Sequence, residues 1–164
     1  HMVAKALSDG VAYGEKHSKE IDQLVQIADL ALIPFSQAEK KLIAAINGKS
    51  PWQRYHACVA AATLGDVARP LVPIVKPLLA DENLMVRVRA AEFLGRLKAV
   101  DPMPTLVGVL NQSESSLEVL LTFNAVTYLR DHCGYSFDPS KVKLKAKAGE
   151  SSRRTAYLSG KGKL

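Results

Sequence analysis

The chain has 164 residues, 48% of them hydrophobic, enough to bury one sizeable core without help from metals or crosslinks. Its formal charge is +6, yet residues 1–140 hold 14 Lys and Arg against 15 Asp and Glu, so the whole excess sits in residues 141–164, with 8 against 1. A body of net −1 has no basic surplus to track a phosphate backbone, which argues against nucleic acid as its ligand and leaves any polyanion contact to the tail.

His1-Met2 reads as a cloning remnant, so a piece of a longer chain is expected. Val3 to Gly14 holds no apolar run long enough for a signal peptide or a membrane span, and no membrane association is expected. In chain order, the spacing of apolar residues predicts helices over about 18–33, 36–47, 51–64, 69–80, 84–98, 102–111 and 116–131. The first is an amphipathic helix packed in front of the others. The third opens on Ser50 as N-cap, Pro51 in the first turn and Gln53 as the partner of a capping box, and Gly65 is its stop. The fourth is opened by proline in Arg69-Pro70-Leu71-Val72-Pro73, and Pro77 inside it is expected to bend the helix without breaking it. In the fifth, Val86, Ala90, Leu94 and Leu97 share one face while Arg89, Glu92 and Arg96 share another, with Gly95 as the stop. Asp101-Pro102-Met103-Pro104 opens the sixth, and the seventh carries Asn124 among apolar neighbours, where a buried amide needs hydrogen-bond partners.

Self-similarity runs through these segments. Ala60-Ala61-Ala62-Thr63-Leu64-Gly65 recurs 30 residues later as Ala90-Ala91-Glu92-Phe93-Leu94-Gly95, and Ala125-Val126-Thr127-Tyr128-Leu129 is a fainter third copy. Small residues such as Ala57, Ala61, Ala62, Ala90 and Ala91 let helices approach closely, and Leu64, Leu78, Leu79, Leu94, Leu106 and Leu110 fill the space between layers. A stack of antiparallel helix pairs follows.

The run Asp81-Glu82-Asn83-Leu84-Met85-Val86-Arg87-Val88-Arg89-Ala90-Ala91-Glu92-Phe93-Leu94-Gly95 resembles the HEAT-repeat pattern of an acidic turn, Val-Arg, paired alanines and Leu-Gly, and the resemblance extends over about 36–131. It implies an all-α fold, a HEAT-like helical-hairpin superhelix of about seven helices with an extended basic C-terminal tail. It also implies that Arg87, with Asp81, ties a helix start to neighbouring turns as scaffolding. The expected division is a repeat domain over 3–140 and a tail over 141–164.

Catalytic chemistry finds no support. Cys58 and Cys133 lie far apart and outside any metal-ligand spacing, and Cys58 in its Ala-rich helix reads as core packing. No histidine has a partner at catalytic or metal-binding spacing, and no phosphate-binding glycine motif occurs, so no catalytic residue, metal or cofactor is assigned. Asp66, Asp81, Asp101 and Glu114 read as caps of turns. Trp52, Tyr55 and His56 cluster at one helix start and are expected to pack on the preceding helix. In the tail, Lys141-Val142-Lys143-Leu144-Lys145-Ala146-Lys147-Ala148 alternates with period two, an extended segment with one lysine face, and Arg153 and Arg154 follow. Lys143, Lys145, Arg153 and Arg154 are the candidate binding residues, for a polyanion.

A second resemblance concerns a larger parent. Leu121-Thr122-Phe123-Asn124-Ala125-Val126-Thr127-Tyr128-Leu129-Arg130-Asp131-His132 with Gly134-Tyr135-Ser136-Phe137, placed after HEAT-like helices, resembles the region that follows the catalytic domain in some bacterial sulfatases. Neither Cys58 nor Cys133 sits in the C/S-x-P-x-R motif of that chemistry, so the resemblance implies a non-catalytic accessory domain of a periplasmic or secreted hydrolase, its partner the catalytic domain of the same chain. The alternatives are an independent scaffold binding another protein through its concave face and, from a different class, a HEAT-like DNA-binding protein.

Overall fold

A computed structural model describes residues 10–145 and 149–161. Residues 10–16 are helical and lead into α1 (Ser18–Ala28), followed by a 3-10 turn over Asp29–Leu32. Then come α2 (Phe35–Ile46), α3 (Pro51–Leu64), a proline-rich segment containing α4 (Val72–Val75), α5 (Leu84–Arg96), α6 (Met103–Gln112), α7 (Ser116–Cys133) and α8 (Gly149–Leu158). Among the described residues there is no strand. The expected all-α stack of helix pairs is present. His1, Met2 and the start of the expected repeat domain at Val3 lie outside the described residues, as do Ala146, Lys147 and Ala148 of the alternating run.

The helices form two layers. In the front layer α1 packs on α3, α3 on α5, α5 on α7 and α7 on α8. Behind it α2 packs on α3, the 3-10 turn Lys76–Ala80 on α5, and α6 on both α5 and α7. Helix α5 is the keel: Ala90, Phe93, Leu94 and Leu97 join a first core with Leu42, Ile46, Ala57, Ala61 and Leu71, while Met85, Val88 and Ala91 join a second with Leu106, Leu110, Phe123, Val126 and Leu129. Alanine lines the meeting of α3 and α5, with Ala57, Ala60, Ala61, Ala90 and Ala91 all buried. Such small side chains permit the close approach that the sequence predicts.

Several helix boundaries differ from the sequence-based expectation, each for a local physical reason. Residues 69–80 do not make one bent helix but a 3-10 turn (Gly65–Leu71), the single α-turn α4 and a second 3-10 turn (Lys76–Ala80). Pro70, Pro73 and Pro77 each lack an N–H, and three missing donors in so short a stretch deprive the α-helical ladder of its continuity. By length and composition an 18-residue window within Pro51–Ala80, with a mean hydropathy of 1.5, would suffice for a membrane span, but Gly65 at φ 67° and ψ −138° turns the chain inside that stretch.

Gly95 does not stop α5; that stop falls at Lys98, whose φ is 55°. Glycine is needed at position 95 for space, because a Cβ there would lie 2.8 Å from Cγ of Pro102 and 2.9 Å from Cδ2 of Leu129. Ser50 occupies the N-cap of α3 without a side-chain cap bond, so the expected box with Gln53 is not formed. The working caps are Asn83, whose Oδ1 accepts from the N–H of Met85 and Val86, and Ser115, which accepts from the N–H of Glu118. Asp101 accepts from the N–H of Met103 in the manner expected of a cap, whereas Glu114 pairs with Lys145 and Asp66 with Arg69.

The turns of the back edge are bonded to one another. Arg54 donates through Nε and Nη2 to the two carboxylate oxygens of Asp81 at 2.7 and 3.0 Å, and through Nη1 to the carbonyls of Gly48 and Lys49. Asp81's carboxylate also accepts from the N–H of Asn83, and its carbonyl accepts from Nε of Arg87, whose Nη1 reaches Oε1 of Gln112 at 3.1 Å. Arg87 therefore ties turns together as the family resemblance implies, but through the Asp81 carbonyl; the carboxylate belongs to Arg54.

Two stability measurements test this packing. Removing Arg54 leaves Asp81, 5% exposed, as an unpaired buried carboxylate, so Arg54→Ala is expected to lower the unfolding free energy by about 3 kcal/mol, while Arg153→Ala, which breaks an exposed pair with Glu150, leaves the urea midpoint unchanged. Equal midpoints for the two variants would remove the clamp from this account. Gly95→Ala is expected to cost about 1–3 kcal/mol by overpacking against Pro102 and Leu129, although alanine is the better helix former.

Candidate functional site

Helical spacing decides what the front layer leaves uncovered. On α3, Trp52, Tyr55, His56, Val59 and Thr63 recur every three or four residues and none is fully buried. The corresponding face of α5 carries Arg89, Glu92 and Arg96, and that of α7 carries Leu117, Asn124, Tyr128 and His132. Trp52 is 49% exposed and Leu117 63%, and Ile21 and Val25 of α1 are exposed as well. No residue of α1 is fully buried, so this amphipathic helix covers the first core only in part. The Trp52 group thus lies on an open face and is not packed away as expected. Asn124 is also exposed on this face, where solvent satisfies its amide; the helical period aims it away from the core.

Cations and aromatic rings alternate along the front face. Arg89 stands 5.0 Å from the ring centroid of Tyr55 and donates to its hydroxyl at 2.8 Å, and it pairs with Glu92 at 2.6 Å. Arg96 stands 5.2 Å from the Tyr128 ring, and Arg130 stands 4.4 Å from that of Tyr157. Burial, followed by the charge of Arg89, lowers the pKa of His56. Between α3 and α5 a notch of about 100 Å³ is lined by Thr63, Arg89, Glu92 and Arg96. A larger open cleft of about 580 Å³ lies between α1 and α2, lined by Gln23, Gln26, Ile27, Leu30, Lys41 and Gln53.

The tail residues singled out from sequence fall in two places. Lys141, Lys143 and Lys145 are exposed while Val142 and Leu144 pack on the second core, so the period-two alternation is realised over this short stretch. Asn111 fixes it, donating to the carbonyl of Lys141 and accepting from the N–H of Lys143. The tail is not extended throughout, because α8 follows, with Leu158 buried and Arg153 and Arg154 both paired to Glu150 at 3.1 and 3.2 Å. Lys145 pairs with Glu114 at 3.6 Å. Three of the four candidate cations thus have carboxylate partners within the chain. Sequence reasoning missed the front-face pairs, although the Arg89, Glu92 and Arg96 face was visible from its spacing; the rings that meet it come from other helices.

Burial pushes the Cys58 thiol up to about 12, which suits core packing. Cys133 is a free thiol as well. Among the described residues no group of His, Cys, Asp and Glu has the arrangement of a metal site.

This two-layered stack of helix pairs is a HEAT-like helical repeat. The family model described as HEAT repeats matches residues 39–119, from within α2 to the first turn of α7, which supports the HEAT-repeat resemblance of that stretch. No curated protein and no solved structure matches the chain.

Asp131 sits where α8 meets α7 and is expected to couple that contact to pH. Burial alone would raise the pKa of Asp131, but hydrogen bonds from Arg130 at 2.7 Å and from the Tyr157 hydroxyl at 2.8 Å outweigh it and hold the carboxyl below its ordinary value. A depressed carboxylate pKa stabilises the folded state above the ordinary value of about 4, and that contribution is lost as pH falls through the lowered one. Amide exchange over 149–158 is therefore expected to accelerate on acidification ahead of α5. Tyr157→Phe, which keeps the ring and loses the hydroxyl, is expected to flatten that response; an unchanged acid profile would sever Asp131 from the docking of α8.

Proposed function

We propose that this chain is a non-catalytic helical scaffold that binds a protein partner on the front face of α1, α3, α5 and α7. The observation that supports it is the set of exposed large side chains on that face, Trp52, Leu117 and Tyr128, with the half-buried Tyr55 and the cations Arg89 and Arg96 among them. Tryptophan, tyrosine and arginine are the residues that concentrate binding energy at protein interfaces. HEAT repeats generally serve protein interaction, which agrees with this reading. The front face is not a strip of unpaired cations, and the near-neutral body supplies no field for a nucleic acid backbone.

The finer reading makes the chain the accessory part of a sulfatase-type hydrolase, its partner the catalytic domain of the same polypeptide and its compartment periplasmic or secreted. Its support is the resemblance of Leu121–His132 and Gly134–Phe137. In the structure, Tyr135 of that segment places its hydroxyl 3.0 and 3.1 Å from the carbonyls of Gly95 and Val100, a bond that closes the end of α5. A sulfatase-type catalytic domain in the same reading frame is the observation on which this finer reading stands or falls.

Photo-cross-linking tests the scaffold reading. A photoreactive residue at Val59 or Asn124, on the front face, is expected to give a saturable adduct in native lysate that excess unlabelled protein competes away. The same residue at Lys40 or Lys76, on the back layer, is expected to give none. Equal adducts from both layers would dismiss the front face as the binding surface.

A further inference from the structure

We propose that the notch between α3 and α5 is a subsite for a carboxylate side chain of an acidic peptide, held by the guanidinium of Arg96 beside that of Arg89. The proposal rests on the front-face reading and names the chemistry of what binds there.

Arg89 spends two of its nitrogens inside the protein, Nη1 on Glu92 and Nη2 on the Tyr55 hydroxyl. Its third, Nε, is buried and donates to no acceptor in the chain. A buried donor without an acceptor is costly, and it leaves the Arg89 guanidinium short of one partner at the wall of the notch. Arg96, two turns further along α5, has the Tyr128 ring at 5.2 Å and, among the described residues, no carboxylate within ion-pair distance. Both guanidinium groups line the notch, with the single carboxylate of Glu92 between them. Two cations against one anion leave one positive charge, the complement of a single carboxylate.

Size and surroundings favour a peptide over a nucleic acid strand. A volume of about 100 Å³ holds a carboxylate group, which occupies roughly the space of two waters, ~60 Å³. Planar guanidinium groups match the two oxygens of a carboxylate. Val59 and Ala62 add apolar surface to the notch itself, and Trp52 on α3 and Leu117 on α7 are exposed on the same face, so the flanking positions of a peptide meet aliphatic and aromatic surface.

The test uses the full-length protein labelled with ¹⁵N, with the Arg89 Nε–H and the Arg96 amide as reporters. The probe is a terminally capped peptide of repeated Leu-Glu-Glu units, compared with its Leu-Gln-Gln counterpart and with inorganic phosphate. The Glu peptide is expected to shift both reporters saturably, Arg96→Gln to weaken it roughly five- to tenfold, and Arg153→Gln to leave it unchanged. If the Gln peptide moves the same signals with equal affinity, the front face binds peptides and the carboxylate subsite is wrong. If phosphate matches the Glu peptide, the notch is a general oxyanion site and the peptide assignment is overturned. Shifts confined to 141–161, or none at all, likewise reject the subsite, while the cross-linking result judges the front face separately.

Discussion

The guanidinium of Arg54 holds the turns of this molecule in register. It reaches from the first turn of α3 to the carbonyls of Gly48 and Lys49 on one side and to the carboxylate of Asp81 on the other. Asp81 then passes the connection on, since its carbonyl accepts from Arg87 and Arg87 reaches Gln112 at the end of α6. Three successive inter-helix turns are thereby joined along one edge. Helix pairs that meet through alanine have little side-chain relief to stop them sliding, and directional bonds between their turns supply the missing register.

With the register held, α5 buries residues on all sides but one. Its first-core and second-core faces meet α3 and α7, and the back layer covers a third, so Arg89, Glu92 and Arg96 are left on the fourth. The same geometry, repeated on α3 and α7, gathers one exposed strip from each helix into a common surface. Aromatic residues contributed by α3 and α7 then sit beside cations contributed by α5, and the front face acquires both apolar area and charge. The C-terminal segment extends the row, because Tyr157 of α8 bonds Asp131 and lies against Arg130 of α7.

Glycine and proline show how one residue type serves different ends. Gly65 and Gly134 take positive φ and end helices, as a glycine at a helix C-terminus commonly does. Gly95 sits inside its helix and is required because Pro102 and Leu129 press against it. The stop that a glycine supplies elsewhere falls here to Lys98, whose ammonium lies 4.2 Å from the ring centroid of Tyr135. Tyr135 in turn lies within hydrogen-bond reach of the carbonyls of Gly95 and Val100, so the residue after α7 finishes α5.

Most of the fold was legible in the sequence. Apolar periodicity located α2, α3, α5, α6 and α7 to within a few residues but misread the proline-rich 69–80 and missed α8. The recurring Ala-Ala and Leu-Gly segments announced the repeat, and the Arg89, Glu92 and Arg96 stripe was assigned to its own face, because each of these depends on spacing along one helix. What failed depended on partners far away in the chain. The role of Gly95 is set by Pro102 and Leu129, the partner of Asp81 by a helix 27 residues earlier, and the fate of Trp52 and Asn124 by the absence of any helix over the front face. The alternating tail was read correctly as extended over Val142–Lys145, yet its docking and the helix that follows needed the apolar surface of α7 to receive Leu158. Local spacing determined which residues share a helix face; only packing decided which faces are covered, since that depends on which other helix arrives and how closely.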